Sequence, residues 1–139
     1  MFDPAPAPRS NLPQQLLVAA FWTALAVSLT MALLPHPPHT PIDRFGDKFE
    51  HMLAFAVLSG LGSAAYPQLK LRVLALALSA VGALIEVLQA IPGLHRDSDI
   101  RDWIADTAAI AVVLVAVKLW QWLVASRASS SSRAGDDRT

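Results

Sequence analysis

Long apolar runs alternate with short polar breaks along this chain. Leu16 to Leu34 reads LLVAAFWTALAVSLTMALL without one charge, proline or glycine, and three further runs follow, Phe49 to Tyr66, Val73 to Ile91 and Trp103 to Leu123. A helix needs ~20 predominantly apolar residues to cross a bilayer. The pattern therefore predicts four transmembrane α-helices, over about 14–34, 48–66, 70–91 and 100–124. All ten prolines lie outside the apolar runs, as uninterrupted helices require. The fold expected is all-α, an integral membrane bundle with short loops. The first run could be a signal peptide with Arg9 as its basic region, but its apolar core exceeds the usual ~7–15 residues and no A-x-A-like site follows. It reads as a retained span. The head, 1–13, and the Ser-rich tail, 126–139, carry no periodic pattern and are expected to be disordered.

Composition narrows the class. Charged residues make up 16% of the 139 and hydrophobic ones 54%, whereas a soluble domain carries about 25% charged. Disorder and nucleic-acid binding are excluded for the body of the chain. With no cysteine, disulfides, thiolate metal sites and cysteine nucleophiles are excluded as well. A soluble four-helix bundle is the alternative suggested by the modest mean hydropathy of +0.43. The uncharged first run argues against it, because a soluble bundle helix needs a polar outer stripe. Trp120 and Trp122 beside Lys118 resemble an interfacial belt. Small residues four apart, Ser59/Ser63, Gly60/Ala64 and Ala75/Ser79/Ala83, would allow close helix packing in lipid.

Eleven basic residues balance eleven acidic ones, but four spans sort them to opposite sides. Arg9, Lys70, Arg72, Lys118, Arg127, Arg133 and Arg138 share the side of the termini with Asp3, Asp136 and Asp137. Arg44, Lys48, Arg96 and Arg101 face the other eight acids. By the positive-inside rule both termini are expected in the cytoplasm, with the acid-rich side facing out.

On that outer side the polar residues of three helices converge. Asp47, Lys48 and His51 open the second run; Glu86 and Gln89 close the third; Arg96, Asp99, Asp102 and Asp106 lead into the fourth. Spacings of three and four place each set on one helix face, so the three faces can meet in one polar site. Glu86 lies roughly 8 Å along the helix from Ile91, inside the apolar layer, where an acid costs about 2.5–3.5 kcal/mol unless it is paired. Its candidate partners are His51, Lys48 and Arg96. Simpler roles compete for several of these residues. Asp47, Glu50, Asp99 and Asp102 can charge or cap helix N-termini, Lys48 can snorkel, and His51, four residues from Asp47, can be a packing residue. His36 and His39 read as solvated loop residues, and no metal or cofactor site is expected.

The ordered blocks Asp47-Lys48-x-x-His51-x-x-Ala54-Phe55, Glu86-x-x-Gln89 and Arg96-x-x-Asp99-x-x-Asp102-x-x-x-Asp106-Thr107 resemble the VanZ-like family of small multi-pass bacterial membrane proteins, over about 47–117. Two departures stand out. Asp106 occupies a position where the family commonly has Asn, and Ala109 and Val113 follow where its fourth helix carries glycines, which implies looser packing of that helix here. The resemblance implies cell-envelope biology and a link to glycopeptide (teicoplanin) resistance. Three functions fit the residues. The first is binding of membrane lipids or a lipid-linked envelope precursor, with Lys48 and Arg96 meeting an anionic head group and Glu86, Gln89 and His51 orienting it. The second is an intramembrane acid/base or divalent-metal enzyme, for which the chain shows no established catalytic motif. The third is a proton-coupled transporter subunit using Glu86 and Asp106, which would require a homo-oligomer because four short spans transport poorly alone.

Overall fold

The computed structural model describes residues 12–35, 46–94 and 98–136, and these form four α-helices: α1 (Leu12–Leu33), α2 (Asp47–Ala65), α3 (Leu71–Gln89) and α4 (Ile100–Asp136). A 3-10 turn, Pro92–Leu94, follows α3. No strand occurs among the described residues. The helix boundaries fall within a few residues of the apolar runs, except at the C-terminus. There α4 continues as helical backbone to Asp136, so the disordered tail expected from 126 is corrected as far as that residue. Extending an existing helix adds one hydrogen bond per residue fixed and avoids the nucleation cost, so Ala and Arg among the serines carry it on. At the other terminus helix begins at Leu12, with Pro13 in the first turn, where its missing N–H is not needed. Residues 1–11 of the expected disordered head lie outside the described residues.

α2 packs against all three other helices, while α3 closes the bundle against α4 and, more lightly, α1. The core that results runs from Phe21 of α1 through Phe55, Leu58 and Ala65 of α2 and Leu74, Leu78 and Ile85 of α3 to Ile110 and Leu114 of α4. Large apolar side chains also cover the outside: Leu16, Leu76, Leu84, Val87, Ile104 and Val112 are each more than half exposed. Meanwhile Ser59, Glu86, Gln89 and Asp106 are buried. Polar groups inside and aliphatic groups outside are the arrangement that suits lipid and penalises water.

α1, α3 and the stretch Ile100–Arg127 of α4 are each long and apolar enough to cross a membrane. α2 does not meet that measure, so a fourth span, expected over 48–66, is not shown. The reason lies in the polar residues α2 carries, Lys48, Glu50 and His51 in its first turns and Ser59 and Ser63 further on. Its contacts with all three other helices keep these from all facing outward. Close approach is permitted by Gly62, where an added Cβ would stand 3.0 Å from Leu74 Cδ1 and 3.1 Å from Phe21 Cε2, and by Gly82, where it would stand 3.3 Å from Trp103 Cδ1. Gly60, expected at such a contact, has nothing within 4 Å of that position.

Candidate functional site

The ends of α1 and α3 and the starts of α2 and α4 meet at one end of the bundle, and eight of the nine residues singled out in the sequence lie there among the described residues. Arg96 lies outside them, as do His36 and His39, and of Asp47 only the backbone is described. Gly46, at φ 89°, turns the chain into α2, a conformation that a side chain would strain.

Two polar rungs join α2 to α4, which run parallel. In the outer rung Lys48 Nζ lies 2.8 Å from Asp102 Oδ1 and 3.9 Å from Asp99 Oδ2. One turn deeper, His51 Nδ1 lies 3.7 Å from Asp106 Oδ2. His51 therefore reaches across to α4, in addition to the i,i+4 relation with Asp47 noted in the sequence. That cross-helix partner follows from the parallel register: Lys48 and His51 are three apart, Asp102 and Asp106 four, so both pairs align on facing stripes.

Glu86 has a different role from the one expected. It is only 7% exposed, and its Oε2 accepts hydrogen bonds from Ser98 Oγ at 3.0 Å and from the Asp99 backbone N–H at 2.9 Å. Of the partners expected for it, Lys48 and His51 instead face Asp102 and Asp106, and Arg96 lies outside the described residues. Its carboxylate thus takes up a donor at the entry to α4, where N–H groups lack helical acceptors and a negative charge is favoured. Asp99 completes the same terminus by accepting the Arg101 N–H on Oδ1 at 2.9 Å, the N-cap role that its position suggested. Gln89, 2% exposed, turns the other way and donates from Nε2 to the Ala32 carbonyl at 2.9 Å, satisfying one of the orphan acceptors at the end of α1. Glu86 and Gln89, three residues apart, therefore fasten α3 to two different neighbours.

The fastening extends through residues that the sequence reading passed over. Trp103 Nε1 donates to the Ser79 carbonyl at 3.0 Å, and Ser79 Oγ lies 2.9 Å from Thr107 Oγ1. Gly82 makes room for the Trp103 ring. The signal was present in the small residues Ala75/Ser79/Ala83, but it could not reveal that α4 supplies an indole to that stripe.

What remains unsatisfied is Asp106. It is 2% exposed, and its Oδ1 accepts no hydrogen bond among the described residues. Leaving a buried acceptor unmatched costs about 1–3 kcal/mol, more when it is charged. Among the described residues no three His, Cys, Asp or Glu side chains are placed to hold a metal ion. The chain matches no family model, no curated protein and no solved structure. The chemistry of the site rests on its own geometry: a buried carboxylate oxygen, an imidazole beside it and an ion pair one turn nearer the helix ends.

Proposed function

We propose that the chain is a VanZ-like multi-pass protein of the bacterial inner membrane, with α2 as its fourth span, both termini cytoplasmic and the α2/α3/α4 polar end facing out. We further propose that this end binds a cell-envelope component presented from the membrane, a lipid or lipid-linked precursor. The observation that carries the binding is the unmatched Asp106 Oδ1, an acceptor held in an apolar bundle at the cost of stability. Lys48 is already neutralised by Asp102 and Asp99, so among the described residues the site has surplus negative charge. It favours the hydroxyl or ammonium groups of a sugar- or amine-bearing head group over the phosphate of an anionic one. Exposed aliphatic side chains on α3 and α4, Leu84, Val87 and Ile104, support the reading that such a head group arrives on a lipid tail.

The test uses the purified full chain in nanodiscs and a polyprenyl-diphosphate-linked disaccharide as probe. Asp106→Asn retains the side chain's size but offers an NH₂ where an acceptor stood. Affinity is expected to fall at least tenfold, with the thermal transition of the protein unchanged or raised. Equal affinity for the two proteins would overturn the proposal.

The His51–Asp106 pair also favours a second reading, proton transfer on the same bound group. A buried acid beside an imidazole is a workable acid/base couple. In that case His51→Gln would abolish turnover of the probe while leaving its binding within a few-fold of the parent protein, and a parallel loss of both would restrict His51 to binding.

A further inference from the structure

The opposite end of the bundle holds a second feature, independent of the polar site. A cavity of about 630 Å³ lies where the α2–α3 connection passes α4, and Lys70, Arg72, Lys118 and Gln121 form its polar part. Its deeper wall is apolar, with Ala75 of α3 and Ala111 and Leu114 of α4. α3 and α4 are fastened at their other end through Trp103, Ser79 and Thr107, and no such bond joins them here among the described residues.

The charge of this end is one-sided. None of Lys70, Arg72 and Lys118 forms an ion pair among the described residues, and the chain from Ala54 to Val87 contains only one acid, Glu86, at the far end of α3. Two of the three cations flank the first turn of α3, which has no acidic residue and no side-chain cap. Cations are unfavourable at the positive end of a helix dipole. An anion seated between them would offset both the dipole and the mutual repulsion of the side chains.

Size and polarity select among anions. The cavity exceeds the volume of one phosphate, and its apolar wall continues along α3 and α4 toward the bundle's middle. We infer that this groove holds one anionic phospholipid of the surrounding bilayer, its phosphate among Lys70, Arg72 and Lys118 and an acyl chain along Ala75, Ala111 and Leu114. The exposed Trp120 and Trp122, just past Lys118, mark this level as the water–lipid boundary, where such a phosphate lies. The inference requires the chain to sit in a membrane and is otherwise separate from the outward-facing site.

Native mass spectrometry on the full chain, released from nanodiscs of phosphatidylglycerol and phosphatidylcholine in equal amounts, tests it. The wild-type protein is expected to retain one phosphatidylglycerol in preference to phosphatidylcholine. Each cation near a lipid surface contributes about 1 kcal/mol, so Lys70→Gln, Arg72→Gln and Lys118→Gln together should lower that preference on the order of 100-fold. A second variant, Ala111→Trp, keeps every charge and fills the groove, and it should also lose the lipid. Unchanged retention in either variant overturns the inference. Displacement of the lipid by millimolar inorganic phosphate would overturn it too, since that marks a site for the free anion. Failure to enter nanodiscs at all would count against the membrane reading itself, and is scored before any lipid is measured.

Discussion

The two ends of this bundle are held together by different forces. At the end where α3 stops and α4 starts, directional polar bonds dominate: Glu86 to Ser98 and Asp99, Gln89 to Ala32, Lys48 to Asp102, His51 to Asp106. At the other end α1 meets the end of α2 through rings and uncharged hydrogen bonds, with Phe21 edge-on to Tyr66 at 5.8 Å, Trp22 Nε1 donating to the Tyr66 hydroxyl at 2.7 Å and Gln14 donating to the Ala65 carbonyl, and α3 and α4 leave an open groove between cations that have no ion pair among the described residues. One end spends its charges within the bundle, and the other leaves them available. The difference teaches where each end can interact with a ligand. Among the described residues of the acid-rich end, Asp102 Oδ1 is taken up by Lys48 and Asp106 Oδ1 is left over, so recognition there is narrow; at the basic end charge and volume are both spare, so recognition is electrostatic and tolerant.

The largest expected effect tests whether the polar fastening is structural. Replacing Glu86 by Ala leaves the Ser98 hydroxyl and the Asp99 N–H without their acceptor, and bonds to a charged group contribute about 1.5–3 kcal/mol. A loss of about 2 kcal/mol or more is expected in unfolding from detergent micelles. Glu86→Gln, which keeps one acceptor oxygen, should lose less than half as much. If both variants unfold like the parent, the acid-rich end is not held by Glu86, and the contrast between the ends fails.

How far this contrast could be read in advance depends on the residue. The four helices, the polar end and the convergence of three helices there were legible, because apolar periodicity and proline placement depend only on local chain. The partner of each polar group was not. Glu86 and Gln89 sit on one helical face by spacing, yet α4 enters on one side of α3 and α1 ends on the other, so the pair divides between them. His51 and Asp106 are distant in sequence, and only the parallel register of α2 and α4 joins them. The status of α2 is left open by its own residues: its polar first turns weaken the span signal, and what can offset them is its contact with all three other helices. Trp103 looked like the first residue of an apolar run, and its bond to Ser79 depends on Gly82 leaving room for the ring.

A smaller effect compares the ends through one device used at both. Each end of α1 is tied by a glutamine amide to the last turn of a helix: Gln14 of α1 donates to the Ala65 carbonyl, and Gln89 of α3 donates to Ala32. Gln89 is fully buried and Gln14 only half-buried. Both acceptors belong to buried residues, Ala65 and Ala32, but truncating the half-exposed Gln14 admits water to the carbonyl it leaves, whereas truncating the buried Gln89 does not. Gln89→Ala is therefore expected to cost about 1–2 kcal/mol and Gln14→Ala less than about 1, both read from thermal unfolding in the same detergent. Equal losses would show that the basic end is as tightly closed as the other.

The finest test concerns packing at the basic end, and its sign matters more than its size. Glycine in a helix costs about 1 kcal/mol relative to alanine, so an alanine stabilises wherever its Cβ finds space. At Gly60 nothing lies within 4 Å of that position, and Gly60→Ala should stabilise by up to about 1 kcal/mol. At Gly62 the new methyl meets Leu74 Cδ1 at 3.0 Å, Leu74 Cδ2 at 3.2 Å and Phe21 Cε2 at 3.1 Å. Overpacking of this kind costs roughly 1–3 kcal/mol, which exceeds the helix gain, so Gly62→Ala should destabilise by about 1 kcal/mol. Leu74 and Phe21 are both buried, at 4% and 6% exposed, so neither can move out into open space. Thermal unfolding of the two variants decides it: opposite signs place the closure of this end in the contact of Gly62 with Leu74 and Phe21, and stabilisation by both would mean that α1, α2 and α3 separate here as readily as α3 and α4 do beside the groove.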